Sequence, residues 1–87
     1  MGEQFREVVR EHRFERDLRA LVRQAIPADR FVEAAEYLLA RDPRIGSPTD
    51  DVNVWFLPMA PIAGQQIALY YAFDDSTVWL LAIEGGN

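Results

Sequence analysis

The chain has 87 residues, 49% hydrophobic and 26% charged, a size and composition that support one soluble domain over residues 1–87 with a single modest core. It has no cysteine, which excludes disulfides, thiolate nucleophiles and Cys-ligated zinc and suits a reducing, cytoplasmic setting. The formal net charge of −5 comes from residues 45–87, which hold Asp50, Asp51, Asp74, Asp75 and Glu84 but no base, so this half lacks the cations that nucleic-acid binding requires.

The opening stretch, MGEQFREVVREH, has no apolar run of signal-peptide length, and Arg6 stands where myristoylation needs a hydroxyl residue. Within it, QFREVVRE alternates Arg6, Val8 and Arg10 with Phe5, Glu7 and Val9, a pattern that suits a short strand with charged edges. A helix running on into residue 14 would set Phe5, Val8 and Val9 nearly opposite Phe14 and Leu18, at about 100° per residue. A break is expected near His12.

Residues 14–25, FERDLRALVRQA, place Phe14, Leu18, Leu21, Val22 and Ala25 on one stripe of an amphipathic helix. Arg16, Arg19 and Arg23 fall on another face, and with Glu15, Asp17 and Glu33 nearby they read as a mixed, solvated surface. IPADRFVEAAEYLLARDP follows, with Pro27 suited to a first helical position and Asp29 to the first turn. Phe31, Val32, Ala35, Leu38 and Leu39 make its expected buried stripe. Asp42-Pro43 ends it, because the residue before proline avoids the α region. So short a gap between the helices predicts an antiparallel hairpin.

RIGSPTDD is a loop by composition. VNVWFLPM, QIALYYAF and TVWLLAI are rich in β-branched and aromatic residues and of strand length. PMAPIAGQ is expected as a connection too long for a tight turn, and DDST as a hairpin turn. Pro58, Pro61, Gly64, Gln65 and Gln66 interrupt the longest apolar run, which excludes a membrane-spanning helix there, and no membrane partner is expected. The fold class is α+β in the order β-α-α-β-β-β, with a helix hairpin packed on one face of a small antiparallel sheet. Val54, Phe56, Leu69, Tyr71, Val78 and Leu80 are expected under the hairpin. Trp55, Leu57, Tyr70, Trp79 and Leu81 then form the other face. A sheet face left in water is normally polar, so this apolar set is the candidate partner-binding surface.

The order and the strings FERDLRAL, LLARDPRIG and FDDSTVWLLAI resemble the RelE/ParE superfamily of bacterial type II toxins, over most of residues 5–84. The resemblance implies the fold and a cytoplasmic bacterial protein. It also implies either ribosome-dependent mRNA cleavage or gyrase inhibition, held in check by an antitoxin. Nuclease members draw on Arg, Lys, His or Tyr of the late strands and tail for acid–base work and charge stabilisation. Here Gln65-Gln66 stand where the family often has Tyr-Arg, and the end reads Glu84-Gly85-Gly86-Asn87. The expectation is therefore a toxin-like but non-catalytic protein, without a cofactor, that contacts an antitoxin-like protein or a second copy of itself. No catalytic residue is assigned. An active toxin would have to use Arg6, Arg10, Arg16, Arg19, Arg23 or Arg44, the last four being the candidate contacts to nucleic acid or an acidic partner. A pocket between hairpin and sheet for a small ligand is a third alternative.

Other constellations have plainer readings. His12 is the only histidine, and with Glu11 or Glu15 it makes too thin a set for a metal site. Asp50-Asp51 and Asp74-Asp75 read as turn formers rather than magnesium ligands. Ser47 and Ser76 lack a histidine partner for a triad. Gly85-Gly86 precedes no helix and makes no phosphate loop. Trp55, Tyr70, Tyr71 and Trp79 are either core fillers or anchors for a partner. Base stacking on them without nearby positive charge would be weak.

Overall fold

A computed structural model describes residues 5–62 and 64–86. In chain order the elements are β1 (Glu7–Arg10), α1 (His12–Arg23), α2 (Ala28–Arg41), a short 3-10 turn (Pro43–Ile45), β2 (Ser47–Pro48), β3 (Trp55–Ile62), β4 (Gln65–Phe73) and β5 (Thr77–Gly86). The strands form one sheet in the order β1-β5-β4-β3-β2. β3, β4 and β5 are the antiparallel meander expected from the three late apolar strings, while β1 lies parallel to β5 and makes the sheet mixed. The fold is α+β, β-α-α-β-β-β, with the two-residue β2 added at the far edge.

The break near His12 is where the chain leaves the sheet. Glu11 still donates its N–H to the Leu80 carbonyl at 3.0 Å, and its own carbonyl accepts from Glu15 N–H at 3.0 Å to start α1. At the far end of α1, Ala25 takes a left-handed conformation (φ 63°), and the next N–H, of Ile26, bonds back to the Leu21 carbonyl at 3.2 Å. The turn between β4 and β5 is held by Asp74, whose Oδ1 accepts from the N–H groups of Ser76 and Thr77, both at 2.8 Å.

Phe14, Leu18 and Leu21 of α1 and Val32, Ala35 and Leu39 of α2 pack on Ile67, Leu69, Tyr71, Val78 and Leu80. Each large apolar side chain sealed there contributes about 1.5–3 kcal/mol. Both helices therefore cover the same sheet face. Tyr71 is the largest fully buried side chain, and its hydroxyl is satisfied. It donates to the Pro43 carbonyl at 2.6 Å and accepts from Gly46 N–H at 3.1 Å, so the segment leaving α2 is pinned to the core. Across the helix–sheet boundary, Arg10 of β1 grips Glu36 of α2 through two bonds of 2.6 and 2.9 Å.

Four expectations are corrected. Phe31 and Leu38 are not in the buried stripe of α2: they remain 38% and 50% exposed, because α2 sits over the sheet on Val32, Ala35 and Leu39. PMAPIAGQ is mostly strand, since β3 runs to Ile62 and β4 begins at Gln65 after Gly64, whose φ of 81° suits a tight reversal. Glu84, Gly85 and Gly86 are not a tail. They continue β5, with Glu84 opposite Ala68 and Gly85 opposite Ile67. Finally, Trp55 and Leu57 face the helices, not the opposite side. Trp55 is paired with Tyr71 and Leu57 with Leu69, and both pack against the core. Phe56 takes the outer side instead, opposite Tyr70, with ring centroids 5.5 Å apart.

Candidate functional site

The sheet face away from the helices is built from every second residue of four strands. β4 places Ala68, Tyr70 and Ala72 on it, β3 places Phe56 and Pro58, β5 places Trp79, and β1 places Val9 beside Trp79. Phe56, Tyr70, Trp79 and Leu81 are all half-buried, and none of them belongs to the core under the helices. Of the five residues expected on this face, Tyr70, Trp79 and Leu81 are there, and Trp55 and Leu57 are not. Phe56 was missed.

Leu81 sits at an irregularity in the ladder. Tyr71 pairs with Leu80 and Tyr70 with Ala82, so Leu81 is an extra residue in β5. Such a bulge bends its strand and re-aims side chains. Here Leu81 and Ala82 together wall one hollow of the outer face.

Polar groups collect at the end of β5. The Tyr70 hydroxyl donates to Glu84 Oε1 at 2.8 Å, and this bond to the carboxylate raises the tyrosine pKa above its ordinary value. Glu84 is shared by two hollows. One, of about 270 Å³, is lined by Phe56, Pro58, Gln66 and Ala68 among others. The second, of about 310 Å³, is lined by Arg13, Asp51, Val54, Tyr70, Leu81 and Ala82 in addition to Glu84. Arg13 was not singled out as a candidate from the sequence. It reaches this rim because α1 packs on the C-terminal half of β5, which β1 is too short to cover. Asp17 of the same helix accepts the Ile83 N–H at 3.3 Å and lies 3.8 Å from the Arg13 guanidinium. The cation thus arrives with Asp17, Asp51 and Glu84 around it, and the local balance is negative.

The other arginines lie elsewhere. Arg6 donates to the Asp74 carbonyl at 2.7 Å, and both it and Arg44 stand 5.8 Å from the Phe73 ring centre. Arg10 is committed to Glu36, and the hydrogen bond to that carboxylate raises its pKa. Arg16, Arg19 and Arg23 are exposed on the side of α1 opposite Phe14, Leu18 and Leu21. Glu15 turns to Arg10 and Asp17 to Arg13 and Ile83, while Asp29 lines one hollow with Arg19 and Arg23. Among the described residues, none of these three arginines makes an ion pair.

His12 is exposed at the start of α1. The Asp74 pKa is lowered by the Ser76 and Thr77 N–H groups, as a turn-forming carboxylate requires. Among the described residues no three His, Cys, Asp or Glu side chains cluster as metal ligands. Among the described residues no helix is long and apolar enough to cross a membrane.

Compared with protein-family models, curated proteins and solved structures, the chain matches none.

Proposed function

We propose that this chain is a RelE/ParE toxin-like, non-catalytic protein that works by contact. It holds an antitoxin-like protein, or a second copy of itself, against the sheet face of Phe56, Tyr70, Trp79 and Leu81. The observation that carries this is the aromatic and aliphatic outer face, built on strands and, among the described residues, left without a covering element. Exposed apolar patches of this kind mark interaction sites, and Trp and Tyr are favoured anchors in them. Asp51 and Glu84 at its border, against the single Arg13, oppose a phosphate backbone on the same face.

One arrangement favours the alternative of an active toxin. Arg13, Tyr70 and Glu84 border a single hollow, and they are a cation, a hydroxyl and a carboxylate of the kind phosphoryl chemistry uses. Tight induction of the chain in a bacterial culture separates the two readings. A contact protein leaves growth unchanged while it accumulates folded. Growth arrest that disappears in Arg13→Gln or Tyr70→Phe would overturn the non-catalytic reading. The contact itself is tested by sedimentation of the chain, alone and co-expressed with a genetically adjacent open reading frame. Assembly should be lost in Trp79→Glu, and assembly that survives this change would remove the sheet face from the proposal.

A further inference from the structure

Two apolar surfaces of this domain lie open, and charge separates them. The groove between α2 and β3, about 220 Å³, is left by β2, which pairs only with Trp55 and Phe56. Phe31, Leu38, Ile45, Leu57 and Met59 are among its lining residues, none of which is charged, so nothing there selects an occupant. The outer sheet face is different, because its two hollows combine shape with charge.

Phe56 lines the first hollow and Tyr70 the second, and their rings stand 5.5 Å apart, so this aromatic pair forms a ridge between the two. Ala68 lies in the first hollow and Ala82 in the second. Ala68 pairs with Glu84, and Ala82 is two residues back along β5. Diagonal neighbours of that kind are about 7–8 Å apart. An occupant therefore sets down two apolar groups at about that spacing, one on each side of the ridge.

The backbone of the occupant follows from what the face offers. β4 is paired with β3 on one side and β5 on the other, so no strand can add here. The ridge interrupts the continuous apolar trough that a helix requires. A polyproline II segment meets both conditions. It has three residues per turn at ~3.1 Å each, so residues i and i+3 point the same way about 9 Å apart. It makes no internal hydrogen bonds, and its carbonyls need donors. The face supplies two, the indole N–H of Trp79 and the side-chain amide of Gln66, which lines the first hollow.

Charge sets the sign of the partner. Glu84 lines both hollows and Asp51 the second. Glu84 accepts the Tyr70 hydroxyl through Oε1, which leaves Oε2 for a ligand. Arg13, the cation in that lining, lies 3.8 Å from Asp17. The second hollow thus sets a net negative wall beside Val54, Tyr70 and Leu81, which suits a cation carried on an otherwise apolar segment.

We propose that the outer face recognises a basic, proline-rich segment of a partner protein, bound as a polyproline II helix. Prolines three residues apart pack on either side of the Phe56–Tyr70 pair, and an Arg or Lys beyond them reaches Asp51 and Glu84. A second copy of this chain does not supply such a segment from Pro58 and Pro61, which are three apart but lie within β3, where residues 45–87 hold no base. The proposal rests on the contact function proposed above and specifies the chemistry of the partner at the same face.

The test uses the full chain and a labelled peptide of about ten residues, with two prolines three apart and two arginines at one end. One variant peptide has Glu in place of the arginines, and another has Ala in place of the prolines. In fluorescence anisotropy each change should weaken binding about tenfold or more, a difference of about 1.4 kcal/mol. Asp51→Lys should reverse the preference between the Arg and Glu peptides. Asp75→Lys, the same charge change in the β4–β5 turn, should bind like the parent, and both sites are exposed, so the variants should fold. Equal binding of the Arg and Glu peptides, equal binding of the Pro and Ala peptides, or binding unchanged by Asp51→Lys would each overturn the proposal. No peptide binding by a chain whose assembly Trp79→Glu still abolishes overturns it too, and leaves the contact function standing. Assembly that survives Trp79→Glu removes both.

Discussion

Replacing Tyr71 by Phe removes a single oxygen from the centre of the fold. That oxygen serves two backbone groups, the Pro43 carbonyl at 2.6 Å and the Gly46 N–H at 3.1 Å. Each bond is worth about 0.5–1.5 kcal/mol net, and a buried group left without a partner loses its full solvation. The ring stays in place, so no cavity opens and the loss should be about 2 kcal/mol, or roughly 8–16 °C in Tm for a chain of this size. Urea unfolding followed by circular dichroism measures it, with an unchanged slope showing that the folded and unfolded states are otherwise preserved. The close approach has a second signature. A Cβ added to Gly46 would collide with the Tyr71 hydroxyl and stand 2.5 Å from the Phe56 carbonyl oxygen. Gly46→Ala should therefore destabilise more than Tyr71→Phe. The pair should also be non-additive, because both changes break the same contact. A Tyr71→Phe loss below about 0.5 kcal/mol, or full additivity with Gly46→Ala, would refute the pinning of residues 43–46 by this hydroxyl.

Glu36→Gln should weaken the half-buried grip of Arg10 and cost about 1–2 kcal/mol in urea unfolding, whereas Glu15→Gln, whose carboxylate is 4.0 Å from Arg10, should cost a few tenths at most. Asp74 has a lowered pKa, so its contribution is present above the ordinary value of 3.8 and fades as pH falls through the lower folded value. Asp74→Ala should be less stable at neutral pH and show a flatter acid limb in a pH series of thermal melts. Tyr70 has a raised pKa, so its contribution is present below about 10 and fades as pH rises through the higher folded value. In a tyrosine absorbance titration, Glu84→Gln should move one alkaline midpoint back toward 10.0. Ala25 holds φ at 63°, where glycine carries no Cβ penalty, so Ala25→Gly should raise stability by about 0.5–1 kcal/mol in thermal or urea unfolding.

Much of the fold was legible because its helices and turns carry local signals. Apolar spacing located α1 and α2, the phase mismatch between Val8-Val9 and Phe14 located the exit from β1, and Asp74 announced its turn. β3 was legible as a strand but not as to which way its residues face. From Val54 to Met59 the chain has no polar residue, so alternation cannot tell inside from outside. A shift of one residue in pairing then exchanges the two sets. The ladder with β4 decides it, setting Trp55 against Tyr71 and Leu57 against Leu69. Arg13 and the α2–β3 groove were hidden for a related reason. Both depend on how short β1 and β2 are, and strand length at a sheet edge is set by tertiary packing rather than by local pattern. A usable signal did exist for the groove. The apolar stripe of α2, from Phe31 to Leu39, is wider than one sheet can cover, and the surplus side chains are those that line it.

The asymmetric charge along the chain acquires a spatial meaning once the elements are placed. The acidic C-terminal half contributes Asp51 and Glu84 to an aromatic outer sheet face, where Arg13 is outnumbered. Five arginines of the N-terminal half lie on the two helices away from that face. Arg16, Arg19 and Arg23 line the back of α1, and Arg30 and Arg41 are exposed on α2, with Arg41 over the rings of Tyr37 and Phe5. A partner suited to one sheet face is thus electrostatically unsuited to the other, since like charges set opposite each other at an interface carry a penalty. With a packed sheet between them, the two faces can be occupied at once without sharing a side chain. The acidic border of the outer face and the arginines on the backs of α1 and α2 thus give this small domain two sides of opposite charge.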